Sequence, residues 1–264
     1  MSQHVVIFVP GAWHSPDGFD EVIQLLAAKG FASRKVYLPS VGRSPPISSF
    51  GPDVEAIRST ALAEIQQGHD ITVVCHSYGG LPTSQALKGL DKPQSDGGGR
   101  VSAIVYIAAF LFPEGDTVVT SLTAHGGGGT GPYTELLDDG NISFKKGTNP
   151  AEVFYNDLSP EEGRNWASKL KSQASASFYS SADYAAWMDI PSWYLVALQD
   201  KALSPETQRV LIREGRELLD KVGGPGTGEQ RLKSEEIDTG HSPFLSRPED
   251  TAAFVERAAM AYLK

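Results

Sequence analysis

A serine between small residues is the first group in this chain that could do chemistry. Ser77 stands in Cys-His-Ser-Tyr-Gly-Gly, directly after the apolar run 71–75. With Cys75 two residues before the serine and Gly79 two residues after it, the segment fits the G-x-S-x-G pattern, with cysteine replacing the first glycine. In that pattern the serine lies on a strained strand-to-helix turn that only small neighbours allow. We therefore expect Ser77 to be a nucleophile; a plain helix cap is the alternative.

A base and an acid are needed to activate such a serine, because a neutral hydroxyl is a weak nucleophile. The chain has six histidines, and His241 lies in Thr-Gly-His-Ser-Pro-Phe-Leu, between the last predicted strand and the last predicted helix. Asp200 follows the predicted strand 193–198 and would orient the imidazole. Glu114 and Asp116 are alternatives for the acid. The order serine, aspartate, histidine is the one that accompanies the G-x-S-x-G turn.

The negative oxygen of a tetrahedral intermediate requires hydrogen-bond donors. We expect the backbone amides of Tyr78, at the start of a helix, and of Ala12, in the loop after the first strand, to supply them. A simple Pro-Gly turn is the alternative for that loop. The residues that we expect to contact a substrate are Gly11, Trp13, His14 and Trp187. For the last of these, packing of a long insertion on itself is an equally good explanation.

A second glycine-rich segment resembles an oxyanion loop and is interpreted differently. The run His125-Gly126-Gly127-Gly128 looks like an H-G-G-G motif, but it follows the nucleophile in the chain, whereas that motif precedes it. The run also lacks the Gly-Lys-Ser/Thr ending of a phosphate-binding loop. We interpret it as a loop of the insertion.

Apolar runs that alternate with helical periodicity predict how these residues are positioned. The predicted strands are 5–9, 34–38, 71–75, 103–109, 193–198 and 231–237, and the predicted helices are 19–29, 52–67, 82–90, 160–173, 205–222 and 250–263. Near-continuous apolar strands alternating with helices indicate an α/β fold, a mostly parallel sheet of about six strands flanked by helices. The alternation stops in about 112–190, which we interpret as a small cap insertion in a single domain, 1–264.

Composition excludes several classes of protein. The net charge of -9 disfavours binding to nucleic acid, because an acidic surface repels phosphates. The single cysteine forms no internal disulfide and no cysteine cluster for zinc, so no metal is expected. No apolar run approaches the roughly 18 residues that cross a bilayer, and the short run before Pro10 is no secretory signal. We expect a soluble, cytoplasmic protein that does not bind membranes; a homodimer stays open.

At these residues the chain resembles the alpha/beta-hydrolase superfamily and, within it, the compact methyl-ester esterases and hydroxynitrile lyases. The matching segments are V-P-G-A-W-H, C-H-S-Y-G-G, L-Q-D-K-A-L-S-P-E and G-H-S-P-F-L-S-R-P-E. The resemblance implies a parallel sheet, a small cap and no cofactor. Pro10 and Cys75 replace a histidine and a glycine of the usual motifs. The related lyases carry threonine where Gly11 stands and lysine where Ser242 stands, which argues against cyanohydrin cleavage by their mechanism.

The expected reaction is hydrolysis of a small ester or lactone through an acyl-enzyme intermediate. A moderately apolar acyl or aromatic part is expected for the substrate. One alternative keeps the fold and triad but cleaves carbon–carbon bonds, as a hydrolase or lyase in a biosynthetic or degradative pathway. A receptor that binds a small molecule without catalysis is the other alternative.

Overall fold

Strands and helices alternate along the first part of the chain. The computed structural model describes residues 4–93, 97–124 and 130–262. The first elements are β1 (Val5–Val9), α1 (Asp20–Ala27), β2 (Ala32–Lys35), α2 (Gly51–Ile65), β3 (Ile71–His76), α3 (Gly80–Ala86) and β4 (Val101–Ile107), with short 3₁₀ turns at Pro16–Phe19 and Ser77–Gly79. Every residue of β1, β3 and β4 is buried, which explains why these strands are mostly apolar runs without alternation.

The described part of the segment 112–190, called the cap below, contains a small sheet that the sequence did not indicate. Its elements are α4 (Val118–Ala124), β5 (Thr134–Leu136), β6 (Asn141–Phe144), α5 (Pro150–Phe154), α6 (Pro160–Ala167), β7 (Gln173–Ala174), α7 (Ala176–Tyr179) and a 3₁₀ turn at Ala186–Met188. Strands β5, β6 and β7 pair antiparallel. Strands of two to four residues carry too few alternations to be recognised. The helix predicted over 160–173 is shorter than expected. It ends at Ala167, and β7 begins at Gln173.

The alternation resumes after the cap. The last elements are β8 (Ser192–Ala197), α8 (Pro205–Gly223), α9 (Thr227–Arg231), β9 (Leu232–Ile237), α10 (Pro243–Ser246) and α11 (Pro248–Met260). Helix α11 begins two residues earlier than predicted, with a proline in its first turn, where the missing N–H costs nothing.

The main sheet has six strands in the order β2-β1-β3-β4-β8-β9, and all neighbouring strands run parallel. This confirms the predicted fold. The prediction of the second strand at 34–38 was shifted, since β2 spans Ala32–Lys35. As an edge strand, β2 is only half-buried. The apolar residues Val36 and Leu38, which suggested the later position, lie buried in the loop that follows it.

Helices cover both faces of this sheet. Because successive side chains of a strand point to opposite faces, β1 contributes to two cores. Val5, Ile7 and Val9 pack on the side of α2, α3, α8 and the cap. Val6 and Phe8 pack on the side of α1 and α11. Among the helices within the described ranges, none combines the length and apolar character needed to cross a bilayer.

The carboxyl ends of the parallel strands meet at one edge of the sheet. The loop after β1 contains Ala12, the turn after β3 contains Ser77, the loop after β8 contains Asp200, and the loop after β9 contains His241. A parallel sheet thus brings four distant segments of the chain together at the edge where ligands bind in such folds.

Candidate active site

Ser77 lies on a strained turn between β3 and α3. Its φ angle is 52°, in the left-handed region that residues other than glycine rarely adopt. A Cβ atom on Gly79 would lie 2.5 Å from the carbonyl oxygen of Pro10, and one on Gly80 would lie 2.1 Å from that of Phe110. Only glycine fits at both positions. The small residues of the sequence pattern therefore have a direct steric cause.

Cys75, which takes the place of the usual first glycine, is a packing residue. Its side chain is fully buried in β3, with Sγ 3.5 Å from the carbonyl oxygen of Val105. Burial raises the pKa of the thiol far above its usual value. The group therefore stays a neutral thiol and is no rival to the neighbouring serine.

Asp200 and His241 form a buried hydrogen-bonded pair. His241 Nδ1 donates to Asp200 Oδ2 across 2.7 Å, and both side chains are at most 1% exposed. The other carboxylate oxygen, Oδ1, accepts from the backbone amides of Ala202 (2.7 Å) and Leu203 (2.9 Å). The acidic partner of His241 is therefore Asp200, and not Glu114 or Asp116, the alternatives that the sequence left open. The carboxylate fixes the tautomer of the imidazole, so that Nε2 of the neutral ring carries a lone pair.

Gln208, in the first turn of α8, is a further hydrogen-bond partner of Asp200 that the sequence did not indicate. It is fully buried, and its Nε2 donates to Asp200 Oδ2 (2.9 Å) and to the carbonyl oxygen of Leu203 (2.7 Å). Its Oε1 accepts from the backbone amide of Ala197 at 3.1 Å. A signal was available, because the glutamine lies on the same helical stripe as the buried residues Leu211, Ile212, Gly215 and Leu219.

His241 and Ser77 border a common small cavity. Both residues line a cavity of about 60 Å³ under the cap. Nε2 is buried and has no hydrogen-bond partner among the described residues, Ser77 included. Hydrogen bonds between catalytic groups are often long without substrate and shorten in the complex. The two side chains face a common space in which a substrate could join them.

His76 fixes the backbone of the loop that follows β9 and carries His241, called the histidine loop below. Its Nε2 donates to the carbonyl oxygen of His241 at 2.9 Å, and the two rings lie 4.5 Å apart. Burial, together with the neighbouring His241 and His14, lowers the pKa of His76 well below its usual value. The ring is therefore neutral and acts as a fixed donor.

The loop after β1 packs directly against Ser77. Ala12 and Tyr78, the two predicted oxyanion donors, both line the cavity. A Cβ atom on Gly11 would lie 3.0 Å from Cβ of Ser77 and 2.9 Å from Nδ1 of His76. Glycine at this position is thus what lets the loop approach Ser77 so closely.

Trp13 joins this loop to the cap and lines the cavity. Its φ angle is 64°. Its backbone N–H donates to Gln173 Oε1 at 3.1 Å, and its indole N–H donates to the carbonyl oxygen of Ile142 at 3.2 Å. Both partners belong to the cap sheet, through β7 and β6.

Gly11, His14 and Trp187, which were also predicted to contact substrate, are absent from the wall of this cavity. Trp187 is fully buried in the core, where its indole N–H donates to the carbonyl oxygen of Phe112 at 2.8 Å. Although Trp187 belongs to the cap, its side chain packs in the core and not in the wall of the cavity. His14 lines a neighbouring cavity of about 360 Å³ instead. The segment 125–128, interpreted as a cap loop, lies outside the described residues.

His14 stabilises the loop as a neutral ring. Its Nδ1 donates to the carbonyl oxygen of Ala12 at 2.5 Å, and its Nε2 accepts from the hydroxyl of Tyr155 at 2.8 Å. Burial lowers its pKa to about 4, although the hydrogen bond to Ala12 acts in the opposite direction. His14 thus holds the backbone of Ala12, and its contact with a substrate stays a prediction.

The wall of the small cavity is aromatic and uncharged. Its aromatic members are Trp13, Tyr78, Phe110, Tyr133, Phe144, Phe154 and Phe178. No aspartate, glutamate, lysine or arginine is among the described residues of the wall. Among all the residues that the structure describes, no three histidine, cysteine or acidic side chains lie close enough together to bind a metal ion. The cavity therefore favours a small, neutral, apolar group.

Known proteins resemble the chain over its whole length. The profile of the alpha/beta hydrolase family matches residues 6–254. The alpha/beta hydrolase nvfD of Aspergillus novofumigatus is 30% identical over 262 residues, covering 98% of each chain. The probable hydrolase R7 of a Phoma species is 28% identical over 251 residues, covering 94% of this chain and 95% of that protein.

Solved structures share the fold. Methylesterase MES16 from Arabidopsis superposes with a TM-score of 0.68 at 22% identity, over 99% of this chain and 100% of that one. Polyneuridine aldehyde esterase has a TM-score of 0.69 at 16% identity, over 97% and 99%. A pyrethroid hydrolase from Sphingobium faniae has a TM-score of 0.69 at 18% identity, over 99% and 98%. These structures show the fold, and the family profile and the curated relative show that the chain belongs to the alpha/beta hydrolase family.

Proposed function

We propose that this chain is a serine carboxylic ester hydrolase in which Ser77 is the nucleophile, His241 the general base and Asp200 the acid that orients it. One observation carries the proposal. The 2.7 Å hydrogen bond from His241 Nδ1 to Asp200 leaves Nε2 as the proton-accepting atom, and His241 and Ser77 line the same cavity. Family membership supports hydrolysis as the type of reaction.

The reaction proceeds in two halves. The Ser77 hydroxyl oxygen attacks the ester carbonyl while its proton passes to His241 Nε2, and Asp200 stabilises the imidazolium that forms. The backbone amides of Ala12 and Tyr78 donate to the oxyanion of the tetrahedral intermediate. The intermediate collapses as the alcohol leaves with the proton from His241. Water then attacks the acyl-enzyme by the same route and releases the acid, so only side chains, backbone amides and water take part.

The cavity indicates which esters fit best. Its volume of about 60 Å³ and its aromatic wall favour a short, uncharged acyl group. A charged acyl group would lose its hydration without gaining an ionic partner, which costs several kcal/mol. Some of the structural relatives carry esterase names, which supports an ester as the substrate. A lactone fits the same mechanism, because its alcohol stays attached to the acyl chain.

A pair of serine variants tests the proposal. Ser77→Ala removes the nucleophile and is expected to lower turnover of p-nitrophenyl acetate more than about a thousandfold. Ser59→Ala, on the exposed surface of α2, is the matched control and keeps full activity. A fluorophosphonate probe is expected to label the wild type and Ser59→Ala but not Ser77→Ala. Equal turnover by Ser77→Ala, or a wild type that neither reacts with the probe nor hydrolyses the ester, would overturn the assignment.

A further inference from the structure

Asp53 is a buried carboxyl group that the proposed mechanism does not use. It lies in the first turn of α2 and is fully buried. It does not cap its own helix, since its side chain points into the protein. Its Oδ1 accepts from the backbone amide of Ser40 at 2.8 Å, and its Oδ2 accepts from the hydroxyl of Tyr78 at 2.6 Å. Burial raises its pKa. A buried carboxyl group is costly, so its retention calls for a reason.

The partner of Asp53 is the residue that directly follows the nucleophile. Tyr78 is fully buried, its ring stacks on Phe178 at 5.6 Å between centroids, and both rings line the small cavity. Asp53 itself lies outside the cavity wall. The tyrosine is thus fixed at three places: at its backbone by the strained turn, at its ring face by Phe178, and at its hydroxyl by Asp53.

We infer that the hydrogen bond between Asp53 and Tyr78 is a positioning device that holds the backbone amide of residue 78 in its oxyanion-binding orientation. This rests on the proposed function. Oxyanion donors act only when their geometry is preset, because a donor that must reorganise during the reaction gives up much of its effect. Asp53 is therefore a positioning residue for turnover, although it does not contact the substrate.

Three variants separate this role from a purely structural one. Tyr78→Phe and Asp53→Leu each break the link, and each is expected to lower kcat about tenfold or more with KM changed less than about threefold, because the link acts on the transition state. Asp53→Asn keeps a hydrogen bond in the reverse direction, from its amide nitrogen to the tyrosine oxygen, and is expected to lose less than about threefold. The double variant Asp53→Leu/Tyr78→Phe is expected to be no worse than the single variants, because the same link is already broken.

Tyr106→Phe is the matched control. It also removes a fully buried phenol hydroxyl, which bonds to Ser84 at 3.2 Å, away from the cavity wall. Rates are taken per site labelled by a fluorophosphonate, so that unfolded protein is not counted. Tyr106→Phe is expected to keep kcat within about twofold even where its melting temperature falls.

A transition-state analogue gives a second readout. A trifluoromethyl ketone forms a tetrahedral adduct with the serine, and its Ki is expected to rise in Tyr78→Phe and Asp53→Leu by the factor by which kcat/KM falls. Unchanged kcat and Ki in both variants, with activity in the wild type and none in Ser77→Ala, would overturn the positioning role alone. Full activity in Ser77→Ala would instead overturn the proposed function.

Discussion

His76 Nε2 donates to the backbone carbonyl oxygen of His241, so the residue before Ser77 holds the loop that carries His241. The two loops leave different strands, β3 and β9, which are separated by β4 and β8 in the sheet. The position of one catalytic segment is therefore tied directly to that of the other, and this tie can be tested.

We predict that His76→Leu lowers kcat about tenfold, because the histidine loop loses its donor and moves relative to Ser77. The carbonyl group left without a partner is also expected to lower the free energy of unfolding by about 1–3 kcal/mol. The matched control is His4→Leu, which removes another buried ring with one hydrogen bond, to Thr72 at 2.9 Å, before the opposite end of β1. Steady-state kinetics and urea denaturation check both. Equal losses of kcat in the two variants would contradict the prediction.

We predict that Gln208→Met lowers kcat about tenfold and destabilises the fold by about 1–3 kcal/mol. The variant keeps the bulk of the side chain but removes the donor to Asp200 and the acceptor for the amide of Ala197. Gln85→Met is the control. The side-chain oxygen of Gln85 accepts a hydrogen bond from the backbone N–H of Asp183, away from Asp200. Kinetics normalised by probe labelling measure the effect, and a normal kcat in Gln208→Met would show that the turn alone orients Asp200.

We predict that Gly80→Ala destabilises the protein by about 3 kcal/mol or more, because the added methyl group would meet the carbonyl oxygen of Phe110 at 2.1 Å. Gly163→Ala, in α6, is the control: its Cβ atom would have ordinary contacts at 3.5 Å or more, and alanine favours the helix. Thermal unfolding of both variants is the measurement. A melting temperature of Gly80→Ala close to that of Gly163→Ala would mean that the turn relaxes freely.

We predict that the free energy of unfolding falls as the pH drops from about 6.5 to about 4. Burial lowers the pKa of His4 and of His14 to about 4, so the unfolded chain binds protons in this range that the folded chain does not. Each group contributes about 3 kcal/mol to the loss, which is complete below the folded pKa. Urea denaturation at several pH values measures the slope, which is expected to be shallower in His4→Gln. An identical slope in that variant would contradict the prediction.

The sequence indicates the parts of this molecule that depend on strong local patterns. Ser77 and Asp200 were predicted from the apolar strands that precede them, β3 and β8. His241 was predicted from its position between the last strand and the last helix, although β9 is polar and mostly exposed. The bounds of α2 and α8 were predicted within a residue or two because of their long helical period.

What the sequence did not indicate depends on tertiary contacts. The cap sheet is built from strands too short to show a period. Trp187 is an aromatic residue of the cap, and only the packing tells that it faces the core rather than the cavity. The link from Asp53 to Tyr78 joins residues 25 positions apart on different elements, and no local rule predicts it.

Trp13 links the cap to the loop after β1, so displacement of one is expected to displace the other. Both of its N–H groups are held by cap residues, while its neighbour Ala12 borders the nucleophile. A bulky ester that displaces the cap would displace Trp13 as well. The loop after β1 would then move away from the carbonyl carbon of the ester. Oversized compounds would then bind but react slowly. Selectivity for compact esters would arise from displacement of this loop as well as from steric exclusion.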